Sequence, residues 1–155
     1  ALEEGSVINV IDAKEEVSVV DKVSYWNLNP GVEYTVKGQL MSKETGEILV
    51  VDGKEIKAET TFTPEERDGV VEIKFPTFNT EGLENTDFVA FEQIIFDGVV
   101  IGSHEDIDDE KQTNHVSKVR TVALEKDGKI NVVEPKENLV ITDKITYQKV
   151  VPGQE

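Results

Sequence analysis

Cysteine is absent from the 155 residues. That excludes disulfide staples, thiolate metal sites and a cysteine nucleophile. Basic residues are scarce: 16 Lys and Arg face 32 Asp and Glu, a formal charge of -16. Such a surface repels phosphate, which argues against nucleic acid and anionic lipid as partners. The acids are spread along the chain and read as solubility rather than as one acidic binding face. No apolar run reaches the ~18 residues that span a bilayer, so no membrane insertion is expected of this segment. No signal peptide is visible, and any export signal is expected to have been removed or to lie elsewhere. No stretch carries the period of a convincing amphipathic helix.

What is present has a period of two. Tyr34, Val36, Gly38 and Leu40 alternate with Thr35, Lys37 and Gln39, and Val71, Ile73 and Phe75 alternate with Glu72 and Lys74. Each reads as a strand with one buried and one wet face. Turn signals separate the strands: Asn29-Pro30-Gly31, Asp52-Gly53, Asp68-Gly69, Asp97-Gly98 and Asp127-Gly128. Short strands at this spacing predict an all-β protein, an Ig-like antiparallel β-sandwich of about seven strands.

The chain also repeats itself. Val19-Val20-Asp21-Lys22-Val23-Ser24-Tyr25 is matched by Ile141-Thr142-Asp143-Lys144-Ile145-Thr146-Tyr147, and Pro30-Gly31 by Pro152-Gly153. Upstream, Ser6-Val7 precedes Asp12-Ala13-Lys14 at the spacing by which Thr121-Val122 precedes Asp127-Gly128-Lys129. The expected organisation is one repeat over 1–118 and the beginning of a second over 119–155. The second, lacking most partner strands, should need a neighbour to pack on.

Two segments carry candidate chemistry. Phe88-Val89-Ala90-Phe91-Glu92-Gln93-Ile94-Ile95-Phe96 is apolar on both faces, with Glu92 on the side of Ala90 and Ile94. A carboxylate there is costly unless paired or protonated. From the strand alone, an edge position with Glu92 in water is the simpler reading. His104-Glu105-Asp106-Ile107-Asp108-Asp109-Glu110-Lys111-Gln112-Thr113 is a dense acidic loop that invites a calcium reading, yet the EF-hand spacing and its glycine are missing. Taken alone, a solvated acidic turn with a surface histidine is the simpler reading.

Taken together, Val89-Ala90-Phe91-Glu92, His104-Glu105-Asp106 and Asp109-Glu110-Lys111-Gln112-Thr113 resemble the VaFE-repeat, or Thr–Gln ester-bond, domains of Gram-positive surface adhesins. Asp21-Lys22-Val23-Ser24-Tyr25, Pro30-Gly31-Val32-Glu33-Tyr34, Gly38-Gln39-Leu40-Met41 and Thr61-Phe62-Thr63-Pro64-Glu65 match that family too. The resemblance covers residues 6 to about 118, and 119–155 look like the start of another copy. It implies a CnaB-like sandwich in which a first-strand threonine attacks a last-strand glutamine, giving an intramolecular ester and ammonia. By resemblance Gln112 is the acyl donor, His104 the proton carrier, Glu92 a buried acid and Asp21 a further acidic partner. No cofactor and no metal are implied.

The chemistry suits these residue types. A hydroxyl attacks once a base takes its proton. A carboxamide yields once its oxygen is stabilised, and a buried carboxyl with a raised pKa can donate to that oxygen. The family pattern is broken at the nucleophile, because the internal alignment sets Ser6 opposite Thr121. Three readings stay open: Ser6 attacks Gln112, no bond forms in this copy, or the hydroxyl comes from another chain. Thr121 looks like the reactive threonine of the next repeat and lies too near Gln112 in sequence to reach it.

The favoured expectation is a structural stalk module of a cell-wall-anchored, extracellular adhesin or pilus-like protein, stabilised by a single self-modification and not an enzyme with turnover. Its partners would be neighbouring repeats. The alternatives are an adhesive domain that binds a host ligand and a calcium-stabilised domain without a cross-link. A hydrolase is disfavoured, since no Gly-rich nucleophile turn is present.

Overall fold

A computed structural model describes residues 1–125, 141–148 and 150. Its strands are β1 (Leu2–Glu3), β2 (Val10–Asp12), β3 (Val19–Tyr25), β4 (Tyr34–Ser42), β5 (Val50–Val51), β6 (Lys54–Glu55), β7 (Lys57–Phe62), β8 (Gly69–Lys74), β9 (Asp87–Phe96), β10 (Val99–His104), β11 (Thr113–Glu125) and β12 (Ile141–Gln148). β1, β5 and β6 have two residues each, β2 has three, and β12 lies in the second copy, which is why the count exceeds the seven expected. Among the described residues no helix is long and apolar enough to cross a membrane.

Two sheets form the sandwich. One has the order β1-β3-β8, and the other β12-β11-β9-β4-β7, with β10 on β9 and β2 on β11. All pairings are antiparallel except β2 with β11. The alternation read from sequence is what packs them. Val36 and Leu40 of β4 meet Ile73 of β8, with Val19, Phe75, Phe88, Ala90 and Val116, in one core. Gly38 is required in that row. A Cβ there would stand 2.9 Å from Phe75 Cζ and 3.1 Å from Ile73 Cδ1, so the glycine admits the ring. A smaller cluster of Tyr25, Leu28 and Tyr34 closes one end, and Phe62 lies 5.3 Å from the Tyr25 ring.

The turn signals fall where sequence put them. Asp52-Gly53 joins β5 to β6 and Asp97-Gly98 joins β9 to β10, each pair with positive φ at both residues. That is the type I′ geometry that matches strand twist. Asp127-Gly128 lies outside the described residues.

β9 positions the site. One edge pairs with β4 over Phe88–Ile95. Its other edge is shared: β11 takes Asp87, Phe88 and Val89, and β10 takes Glu92 to Phe96. The gap between them lies at Ala90 and Phe91, and Gln112, the residue before β11, arrives there. β11 itself runs unbroken across the 118/119 boundary expected from the repeat.

Candidate functional site

Glu92 is 3% exposed, so the edge-strand reading fails: β9 is an interior strand, with neighbours on both sides. Asp21, from β3 in the facing sheet, is equally buried. The two carboxyls meet between the sheets. Asp21 Oδ2 and Glu92 Oε1 find no ordinary donor, as expected of two acceptors served by one shared proton. Burial, and then the proximity of Asp21, push Glu92 up to about 9. Burial also acts to raise Asp21, but the proton of Glu92 and the nearby amine of Ala1 outweigh it and hold Asp21 below its usual range. The proton therefore resides on Glu92, and Asp21 is the anion.

Gln112 completes the cluster. Its Oε1 accepts a hydrogen bond from the amine of Ala1, which is also 3.0 Å from Asp21 Oδ1. Gln112 was expected on the last strand, beside the first. It sits one residue ahead of β11 instead, while β1 pairs with β3 in the other sheet.

His104 lies at the rim, half exposed. Its Nδ1 is 3.6 Å from Glu92 Oε2, beyond hydrogen-bond length, and its Nε2 is 3.2 Å from Asp109 Oδ2. Asp109 is the residue that single-residue reasoning passed over. Its carboxylate holds the imidazole, and its backbone carbonyl accepts the amide of Gln112 at 3.2 Å and the hydroxyl of Thr113 at 2.8 Å. The signal was available, since Asp109 opens the quoted segment that ends in Gln112-Thr113. Two other acids of the loop are engaged elsewhere, Glu105 on Gln93 and Glu110 on Lys43. Among the described residues no three His, Asp or Glu side chains converge as a metal would need.

Ser6 lines the same cavity as Asp21 and Gln112, and its hydroxyl is engaged with Ile8 rather than with the carboxamide. It lies in the loop between β1 and β2, and its hydroxyl donates to Ile8 O at 2.9 Å and accepts from Ile8 N at 3.1 Å. A local turn of this kind satisfies the hydroxyl where it stands.

The strand registers explain the misplacement. Leu2 pairs with Val20 and Glu3 with Val19; Leu124 pairs with Thr142 and Glu125 with Ile141. Every member is displaced by 122 residues (124−2, 142−20), the offset that also carries Asp21-Lys22 to Asp143-Lys144. At that offset Ser6 matches Gly128, and Thr121 matches a position two ahead of Ala1. The alignment of Ser6 with Thr121 used an offset of 115 (121−6), seven residues short, and the ladders do not support it.

A family model, the T-Q ester bond containing domain, matches residues 2–116 and again 117–155. The chain belongs to that family. Among curated proteins none matches by sequence. Among solved structures, a bacterial adhesin from Mobiluncus mulieris, described as containing intramolecular disulfide, isopeptide and ester bond cross-links, aligns in two crystal forms. One has a TM-score of 0.56 at 14% identity, covering 94% of this chain and 70% of that one. The other has a TM-score of 0.50 at 16% identity, covering 92% and 71%. At these identities the likeness is one of fold. The tandem match of the T-Q family model agrees with the paired ladders, which place the same strand motif twice in one register.

Proposed function

We propose that the chain is a load-bearing module of an extracellular bacterial adhesin, a repeat closed by an ester that it forms itself at Gln112, followed by the beginning of a second repeat. The observation that carries this is the half-buried carboxamide of Gln112 held beside a buried carboxyl pair that keeps a proton at neutral pH. A protonated Glu92 is the group that donates to the carboxamide as charge develops on it. His104, oriented by Asp109, takes the proton of the attacking hydroxyl and passes it to the departing nitrogen. Asp21 keeps the proton on Glu92. Packing the two sheets supplies the proximity, and the reaction occurs once per molecule.

The strand register supports one source for the hydroxyl. In the second copy Thr121 stands across from Ile145, and the corresponding first-copy position stands across from Val23, ahead of Ala1. The test is a chain lengthened ahead of Ala1 by Lys-Val-Arg-Thr-Val, the sequence of 118–122. Intact mass should fall short of the expected value by one ammonia, with a fragment linking the new threonine to Gln112. A lengthened chain at full mass, folded as judged by circular dichroism, would overturn the reading.

A further inference from the structure

Among the described residues, a few buried side-chain oxygens find no ordinary hydrogen-bond partner. Two belong to Asp21 and Glu92, where the shared proton accounts for them. A third is Oδ1 of Asn114, which the chemistry of the cross-link leaves unused. Asn114 has no exposed surface. It stands on β11 across from Phe88 of β9. Phe88 and Val116, the next residue on the same face of β11, both belong to the apolar core. An apolar side chain would suit such a place, whereas a buried carbonyl oxygen without a donor costs free energy.

The neighbour of Asn114 gives the polar group a use. Gln112 precedes it by two residues, at the end of the turn that opens β11, and its carboxamide also points inward, onto the Ala1 amine beside Asp21. Nδ2 of Asn114 already donates to the main-chain oxygen of Gln112, at 3.4 Å. Two residues of chain span about 7 Å at most, and the two side-chain amides together reach across it. A carboxamide has an oxygen end and a nitrogen end of nearly the same size. Only one placement suits the reaction, with Oε1 toward the proton of Glu92 and Nε2 at the other end, ready to leave. An oxygen that accepts and cannot donate selects the nitrogen end, and Asn114 Oδ1 is such an oxygen.

We infer that Asn114 is a positioning residue for the cross-link, its Nδ2 fixing the main chain of Gln112 and its Oδ1 accepting from Nε2 of the Gln112 carboxamide. This rests on the proposed chemistry of Gln112. The contact forms by rotation of the Gln112 side chain, whose Oε1 is here drawn to the charged amine of Ala1. In a chain lengthened ahead of Ala1 that amine becomes a neutral peptide N–H. The attacking oxygen then bonds to Cδ of Gln112 and the Cδ–N bond breaks. The hydroxyl proton leaves with the nitrogen as ammonia, and Asn114 neither gives nor takes a proton. Its part is to hold the carboxamide the right way round until the nitrogen departs.

The test uses the lengthened chain with Asn114→Leu and with Asn114→Asp. Asn114→Leu should lose the ammonia mass about tenfold more slowly, while melting before linkage no lower than the parent. Asn114→Asp is the rescue. Protonated, it donates to Gln112 O and keeps an accepting oxygen; ionised, it sets a charge against that carbonyl. Burial raises a carboxyl toward neutral pH, so its rate relative to the parent should approach one near pH 5 and fall about tenfold by about pH 8. Asp21, Glu92, His104 and Asp109 are present in both chains, so the ratio leaves out their own titration. A ratio flat with pH, or a rate that falls only in step with stability, would overturn the inference. The second readout needs no linkage. With alanine in place of the added threonine Gln112 stays unreacted, and its two Nε2 protons should give separate NMR signals whose exchange Asn114→Leu speeds about tenfold. Signals that ignore Asn114 would overturn the positioning, whether or not the parent links. If no lengthened chain links while the signals respond, the proposed function falls and the positioning stands.

Discussion

The strand motif that occurs twice in this chain has two different environments. In β3, Asp21 is 3% exposed, Tyr25 is 8% exposed and Val23 is partly buried against the core. In β12 the matching Asp143 is exposed, Ile145 is 60% exposed and Tyr147 64%. The local sequence and the ladder register are alike, and a facing sheet makes the difference. β3 has β9 and β4 across from it, whereas among the described residues no sheet covers that part of β12. An aspartate in this motif becomes a site residue only when another sheet brings Glu92 to it.

Substitutions that should matter on one side and not on the other test this comparison. The largest effect is expected from Gln112→Ala in the lengthened chain. Losing an ester that closes a loop of ~100 residues should cost about 4–5 kcal/mol by the chain-entropy estimate, read as a lower melting temperature and a mass restored by one ammonia. Next, Tyr25→Ala should cost about 3 kcal/mol, because the ring packs on Phe62 in a closed cluster. Tyr147→Ala should stay within about 0.5 kcal/mol. Equal losses in urea denaturation would break the comparison.

The pH dependence follows from Glu92. Burial and the neighbouring Asp21 push its carboxyl from 4.5 up to about 9 in the folded chain. Between those values the folded state therefore binds more protons than the unfolded one. By linkage, stability contributed through this group is highest at and below about pH 4.5 and is lost as pH rises toward about 9. Urea midpoints for the parent should fall across that window, and Glu92→Gln should flatten the fall while stopping ester formation in the lengthened chain. A Glu92→Gln variant that still links at the parent rate would remove Glu92 from the chemistry. The smallest effects belong to the rim and to the second copy. His104→Gln and Asp143→Asn should each change stability by less than about 0.5 kcal/mol, yet only His104→Gln should slow the appearance of the linked mass.

Much of this was legible before folding. Alternation along β4 and β8 gave the buried rows, and Asp-Gly pairs gave the hairpins. The Glu92, His104 and Gln112 segments stood out because charge or amide chemistry interrupts strand patterns there. Glu92 looked like an edge residue because a strand read by itself does not say what lies across from it. Ser6 matches Thr121 only through the spacing of two short segments, and such a match is weaker than a ladder. Asp109 was hidden by its acidic neighbours, which differ from it only in what they touch.

The sequence by itself determined the all-β class, the alternating core, the turns, the repeat and the residue types able to exchange an amide for an ester. These follow from local rules, since side-chain period and turn preference act over a few residues. Only the tertiary structure decided that Asp21 and Glu92 share a proton and that Gln112 stands beside them. Those outcomes depend on two sheets meeting across a core, and burial and strand register are set by residues far apart in the chain.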